Sequence, residues 1–272
     1  MKKIDWLKTC KKIGKEVSKK VLAIYRTEKR KTEIGMGAGG DMTLEADEAA
    51  EKIAIKNLEK LNVSIALTTE ERGEMKLGAN KSPVYHVVLD PLDGSFNFKN
   101  GIDYFGISIA VLDDKHDFLA GYVRNILTGD EYYALKGKGS FKNGKKIKTS
   151  ATETSHNTLF EVSPKAERGD FDFIVRGFLH SRHNRGLGAV AVDFGLVADG
   201  TFDALVYAGA TRFLDVAAGV FIVREAGGVV TDFEGNEKIA EGTRLTAKNI
   251  IAAANKSVLE SFLKQRFTPS QK

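Results

Sequence analysis

The sequence predicts a mixed α/β fold in which helices pack on sheets. Three observations carry this. Apolar residues recur at three- and four-residue spacings over residues 3–26 and about 43–61, which predicts two opening helices. From about 62 to 145 the pattern becomes short β-rich runs broken by Gly, Asn and Asp turns. From about 168 to 266 the two periods alternate, as they do where helices cover sheets.

The first helix places Ile4, Leu7, Cys10, Ile13 and Val17 on one stripe and leaves Lys8, Lys11, Lys12, Lys15, Lys19 and Lys20 largely off it, which describes a solvated face. Lys2, Lys3, Arg26, Lys29, Arg30 and Lys31 extend the basic run and supply part of the net charge of +5. Neither a zinc finger nor an RNP motif accompanies it, so nucleic acid is not the expected partner. Thr43 is the candidate start of the second helix. Between the helices lies IGMGAGGD, whose Gly35, Gly37, Gly39 and Gly40 predict a mobile loop or a tight packing point. The β-rich runs are VSIALT, VYHVVLD, FGISIAVLD, FLAGYVRN and DEYYALK. Further helices are expected at 188–199, 214–226 and 256–266, and strands near 202–207, 228–232 and 249–254.

A chain of 272 residues with 42% hydrophobic content can bury a substantial core, which excludes a disordered or fibrous protein. No apolar run approaches the roughly 18 residues needed to cross a bilayer, and the N-terminus alternates charged with apolar residues where a signal peptide would be continuously apolar. A cytoplasmic protein with no membrane partner is expected. The single cysteine, Cys10, excludes an intrachain disulfide and a Cys-based zinc cluster, and its place on the helix stripe predicts burial. With no repeat and no Pro- or Ser-rich linker, residues 1–272 read as one domain with approximate halves 1–150 and 151–267 and a frayed tail, 268–272.

Chemistry concentrates in the acidic residues. Val87, Val88 and Leu89 end an apolar strand, and Asp90, Pro91, Leu92, Asp93, Gly94 and Ser95 follow. Carboxylates at a strand's C-terminal end are well placed for a site in an α/β protein. Asp90 and Asp93, separated by a turn, can aim their oxygens at one locus while the Leu92 carbonyl adds a neutral ligand, a donor set for a hard cation. Gly94 and Ser95 come where a helix could begin, so their amides could face a phosphate oxygen. Upstream, IALT runs into Glu70 and Glu71. Asp215 heads the helix DVAAGVFIVREAGG, where the helix dipole favours an acid. Asp47 lies within TLEADEAAE. Singly, each also reads as a turn former, a cap or a solvated residue. An EF-hand is excluded because its alternating acids and closing Glu are missing.

The combination TTEERG, VVLDPLDGSFNF and FLDVAAGVFIVREAGG resembles the inositol monophosphatase superfamily. The likeness continues through GKGSFKNGKKI, LGAVAVDFGLVADGTFDAL and IIAAANKSVLESF, over nearly the whole chain. DPLDGSFNFKNGI, IGMGAGGD and GYVRNILTGDEYYA look most like the archaeal-type enzymes that hydrolyse both fructose 1,6-bisphosphate and inositol 1-phosphate. The resemblance implies a layered αβαβα fold, usually as a homodimer, and a Mg²⁺-dependent phosphatase with two or three ions per site, Mn²⁺ being an alternative. It implies that Glu70, Asp90 and the Leu92 carbonyl hold one ion, and that Asp90, Asp93 and Asp215 hold a second. Asp47 and Ser95 match the pair that orients and deprotonates the attacking water, beside Glu70, and no covalent phosphoenzyme is expected. Gly94, Ser95, Gly188 and Ala189 are the implied phosphate and substrate contacts. Asp41 is a candidate ligand for a third ion that arrives when its glycine-rich loop closes.

One departure bears on substrate. The inositol-selective branch carries a polyol-binding Glu seven residues before the last metal Asp, and here that position is Ala208. Arg212 and Arg185, with Lys165 and Arg168 behind them, are instead candidates to hold the remote phosphate of a bisphosphate. A phosphoadenosine phosphate 3′-phosphatase and a regulatory RNA- or protein-binding relative are the competing readings.

Overall fold

A computed structural model of the chain describes residues 4–38, 40, 42–78, 84–163 and 165–265. Helix α1 (Trp6–Tyr25) leads through a 3-10 turn (Glu28–Lys31) into a hairpin of β1 (Glu33–Met36) and β2 (Met42–Leu44), then α2 (Glu45–Glu59). Next come β3 (Ile65–Thr69), β4 (Gly73–Leu77), β5 (Tyr85–Asp93), the short helix α3 (Ser95–Asn100), β6 (Gly106–Asp113), β7 (Phe118–Asn125), β8 (Glu131–Leu135), β9 (Gly139–Lys142) and β10 (Lys145–Ile147). These strands from β3 onward form an eight-stranded sheet of order β10-β9-β8-β7-β6-β5-β3-β4, antiparallel except for the parallel pair β3 and β5.

The remainder comprises β11 (Asn157–Val162), α4 (Arg168–His180), β12 (His183–Arg185), α5 (Val190–Ala198), β13 (Ala204–Ala208), α6 (Phe213–Glu225), β14 (Val229–Thr231), β15 (Ala240–Glu241), β16 (Arg244–Leu245), β17 (Ile250–Ala253) and α7 (Lys256–Gln265). A second sheet of order β12-β11-β13-β17-β14 results.

Side-chain periodicity sets the stacking. In β6, Ile107, Ile109 and Val111 enter one apolar cluster with α1 and α2, whereas Ala110 and Leu112 enter another with α5 and α6, the two-residue alternation of a strand buried on both faces. Helices α5 and α6 lie between the two sheets and are accordingly buried on nearly every side. A third cluster joins the far face of the second sheet to α4 and α7. The layers run α-β-α-β-α. The α1 stripe of Cys10, Ile13, Val17 and Val21 is buried, and Lys12, Lys15, Lys19 and Lys20 are exposed. Burial pushes the Cys10 thiol up to about 12, which keeps it inert.

Several elements differ from the expectations. Part of IGMGAGGD is strand, in the β1–β2 hairpin. Thr43 lies in β2, and α2 begins at Glu45 with Leu44 at its cap, whose N–H donates to the Asp47 carboxylate at 2.7 Å. No helix was expected at α4, where Phe173 and Ile174 are buried but Phe171, Val175, Phe178 and Leu179 are exposed, so the apolar residues make no single stripe. Strand β11 also went unread, since Asn157, Thr158 and Glu161 interrupt its apolar run. Among the described residues no helix is long and apolar enough to cross a membrane.

Candidate active site

The parallel pairing of β3 with β5 puts Thr69 beside Leu89, so Glu70, just past the end of β3, comes next to Asp90 of β5. In a regular strand Asp90 and Asp93 would point to opposite faces. The ladder to β6 slips here: Asp90 faces Ser108 and Asp93 faces Gly106, three steps against two. This bulge returns both carboxylates to one side, and it accommodates Pro91, which a regular central strand would not. The sequence placed these acids in a turn beyond the strand; they lie instead in a bulge within it.

Glu70, Asp90, Asp93 and Asp215 line one cavity of about 530 Å³, together with Asp47, Leu92, Gly94, Ser95, Gly188 and Arg212. Asp90 is held by an Asx turn, its Oδ1 accepting from the Leu92 N–H at 3.0 Å. Asp93 Oδ2 accepts from the N–H groups of Ala191 (3.0 Å) and Val192 (3.2 Å) at the start of α5. Asp215 occupies the third position of α6, and its Oδ2 accepts from the Thr211 hydroxyl (2.8 Å) and the Arg212 N–H (2.9 Å). Arg212 Nη2 lies 2.7 Å from Glu70 Oε1 and 2.9 Å from Asp215 Oδ1. Asp47, 2% exposed, stands within reach of Ser95: the hydroxyl is 3.3 Å from Asp47 Oδ1 and donates to the Leu92 carbonyl at 2.8 Å.

Burial raises Asp47 to about 8, with Glu71 and Glu70 adding repulsion. Asp93 is likewise raised to about 8 by burial, against the stabilising N–H of Val192 and with repulsion from Asp215. Asp90 is pushed well up by burial and then by Glu70, Asp93 and Asp215. Glu70 is raised by burial, and Arg212 opposes the rise.

Among the described residues, no three His, Cys, Asp or Glu side chains stand in metal-holding geometry. The Arg212 guanidinium pairs with Glu70 and Asp215, and the α5 amides hold Asp93. The donor set nonetheless suits a hard divalent cation. It consists of buried carboxylates, among which Glu70, Asp93 and Asp215 push Asp90 up, plus a main-chain carbonyl at Leu92.

A family model described as inositol monophosphatase family matches residues 5–268. The chain belongs to the inositol monophosphatase family. The fructose-1,6-bisphosphatase/inositol-1-monophosphatase of Thermococcus kodakarensis is 35% identical over 95% of this chain and 96% of its own length. A bifunctional NADP phosphatase/NAD kinase of Methanococcus maripaludis is also 35% identical, over 86% of this chain but 44% of its own length. Among solved structures, an inositol monophosphatase-fructose 1,6 bisphosphatase aligns with a TM-score of 0.81 at 32% identity, covering 96% of this chain and 100% of the other. The suhB protein of Bartonella henselae aligns with a TM-score of 0.83 at 25% identity, covering 96% and 98%.

Not every residue singled out from the sequence meets in this cavity. Ala189 is fully buried at the cap of α5, behind the cavity wall that Gly188 forms. Arg185 is exposed on β12 and donates to its neighbour's Asn184 carbonyl at 2.7 Å, and neither it nor Lys165 nor Arg168 lines the cavity. Asp41 lies outside the described residues. Conversely, Glu161 escaped the sequence reading. Its Oε1 accepts from the N–H groups of Leu187 (2.9 Å) and Gly188 (2.8 Å), which holds the loop before α5 to the end of β11. Lys99, Tyr207 and Thr211 also line the cavity. Only Thr211 had a sequence signal, a hydroxyl four residues ahead of Asp215 at a helix start.

Proposed function

We propose that the protein is a Mg²⁺-dependent phosphomonoester hydrolase acting on fructose 1,6-bisphosphate, inositol 1-phosphate or both, with Mn²⁺ as an alternative ion. The observation that carries this is the β5 bulge, which turns Asp90 and Asp93 toward Glu70 and Asp215 in one cavity. Two or three divalent ions, when bound, would supply charge neutralisation for the phosphate and activation of water. Glu70, Asp90, Asp93, Asp215 and the Leu92 carbonyl would hold them.

The remaining work falls to this chain's own groups. Asp47, raised by burial, takes a proton from water oriented by the Ser95 hydroxyl, since a general base is most effective when its pKa lies near the working pH. The Gly94–Ser95 backbone at the start of α3 faces the cavity and positions the phosphate. Ala208 is fully buried in the second sheet and offers no polyol contact, in keeping with a substrate range broader than inositol phosphates. Among the described residues, the cationic side chains lining the cavity are Lys99 and Arg212, and these hold the second phosphate of a bisphosphate. The setting we propose is a cytoplasmic homodimer, as the resemblance implies.

A second reading is a nucleotide phosphatase, favoured by the relative named for NADP phosphatase activity and by Phe96, 73% exposed at the cavity rim, where an adenine ring could stack. Parallel assays on fructose 1,6-bisphosphate, inositol 1-phosphate, NADP and phosphoadenosine phosphate, with and without Mg²⁺, separate the two. Asp90→Asn should abolish turnover on the preferred substrate, and near-normal activity in that variant would sink the assignment.

A further inference from the structure

We propose that Arg212 is an internal counter-cation that competes with the first divalent ion for Glu70 and Asp215, so that metal entry requires the guanidinium to leave. This rests on the metal-dependent reading above. Three observations carry it. The guanidinium bridges the two carboxylates through one nitrogen, Nη2, at 2.7 and 2.9 Å, and Nε adds a third contact to Asp215 Oδ2 at 3.2 Å. It therefore contacts oxygens that a hard cation would need, and a guanidinium and an ion of like charge repel each other at that range. Second, the arrangement is incomplete as it stands, because Arg212 Nη1 is buried with no hydrogen-bond partner. A buried, unpaired guanidinium nitrogen is costly, so the paired state is held by the carboxylates rather than by a full set of contacts.

Third, there is somewhere for the side chain to go. Arg212 is 36% exposed and stands on the wall between the main cavity and a second one of about 420 Å³, lined by Thr68, Thr69, Thr211 and Thr243 among others. Its backbone is anchored apart from that carboxylate, since its carbonyl accepts from the Asp215 N–H at 3.2 Å in the first turn, so the guanidinium can swing without unwinding α6. Once released from the carboxylates, the same group still borders the main cavity and is free to meet a substrate anion there. Arg212 thereby couples the two binding events: the ion releases it, and the substrate receives it.

Isothermal titration with Mg²⁺ alone, on wild type, Arg212→Met and Arg212→Lys, tests this without reference to turnover. Arg212→Met should bind the first ion on the order of tenfold more tightly, about 1.4 kcal/mol. Its metal-free melting temperature should fall below that of wild type, and saturating Mg²⁺ should close the gap. Arg212→Lys, which keeps the charge but loses the fork, should fall between. Equal or weaker Mg²⁺ binding by a folded Arg212→Met overturns the inference. Should Arg212→Met not fold without metal, the comparison of Arg212→Lys with wild type decides in the same way. Absence of Mg²⁺ binding by wild type would instead overturn the metal-dependent reading itself.

Discussion

Asp93 Oδ2 accepts from the Ala191 N–H at 3.0 Å, a contact between residues far apart in sequence that fastens the bulged end of β5 to the first turn of α5. The same carboxylate faces the cavity, so it has two jobs that substitution can separate.

Asparagine keeps an oxygen for the α5 amides but removes the charge. Asp93→Asn should therefore lower kcat at least about a hundredfold, in the range seen when one charge-stabilising group is removed, with little loss of metal-free stability. Asp93→Ala should lose activity and in addition about 1–2 kcal/mol of stability, because the α5 amides go uncapped. Urea denaturation beside steady-state kinetics checks the pair. Equal stability of the two variants would contradict the capping role.

A pH dependence follows from Asp47. A carboxyl whose folded pKa, about 8, lies above its unfolded value of ~3.9 stabilises the fold in its neutral form. That contribution is whole below pH ~4 and is lost as pH rises toward 8. The metal-free protein should thus lose stability across this window, and Asp47→Asn should flatten the loss. Melting curves at intervals from pH 5 to 9 in chelator give the answer.

Gly94 caps α3 with φ of +85°, and a Cβ there would stand 3.0 Å from both the Ala189 Cβ and the Gly188 carbonyl. Gly94→Ala adds left-handed strain of ~1–2 kcal/mol to this contact and pushes apart the two segments that bear Ser95 and Gly188. We expect activity to fall further than stability alone accounts for. A KM rise with unchanged kcat would locate the effect in substrate binding.

Glu51 is wholly buried in α2 and accepts from the Thr69 hydroxyl at 2.7 Å, Arg72 Nε at 2.7 Å and the Arg72 N–H at 3.2 Å. It braces the turn that carries Glu70. Replacement by Ala should cost about 2 kcal/mol, moderated because Arg72 is partly exposed and can be rehydrated. It should also raise the Mg²⁺ concentration needed for half-maximal activity. Glu51→Gln, able to keep the Thr69 contact, should recover part of both.

Residue type and spacing drew out Asp90, Asp93, Glu70 and Asp215, the family resemblance gave Asp47 and Ser95 their roles, and local period predicted α1, α2, α5, α6 and α7. Each is a short-range property: an amphipathic or wholly apolar helix and a DPLDGS run are written in neighbouring residues. How those residues combine depends on partners distant in the chain. The bulge that brings Asp90 and Asp93 to one face exists because β6 pairs with β5 out of step, and no pattern within DPLDGS encodes that register. The depth of Asp47, which makes it a candidate base and not a solvated helix residue, comes from the layers packed around α2. Arg212 read as a substrate ligand from its place near Asp215; its pairing with Glu70 across the cavity appeared only once β3 and α6 were set side by side. The sequence by itself determined the inventory of charges and the elements that carry them. The tertiary structure decided which charges share an unsolvated space, because burial and distance, the two quantities that govern their interaction, are made by long-range packing.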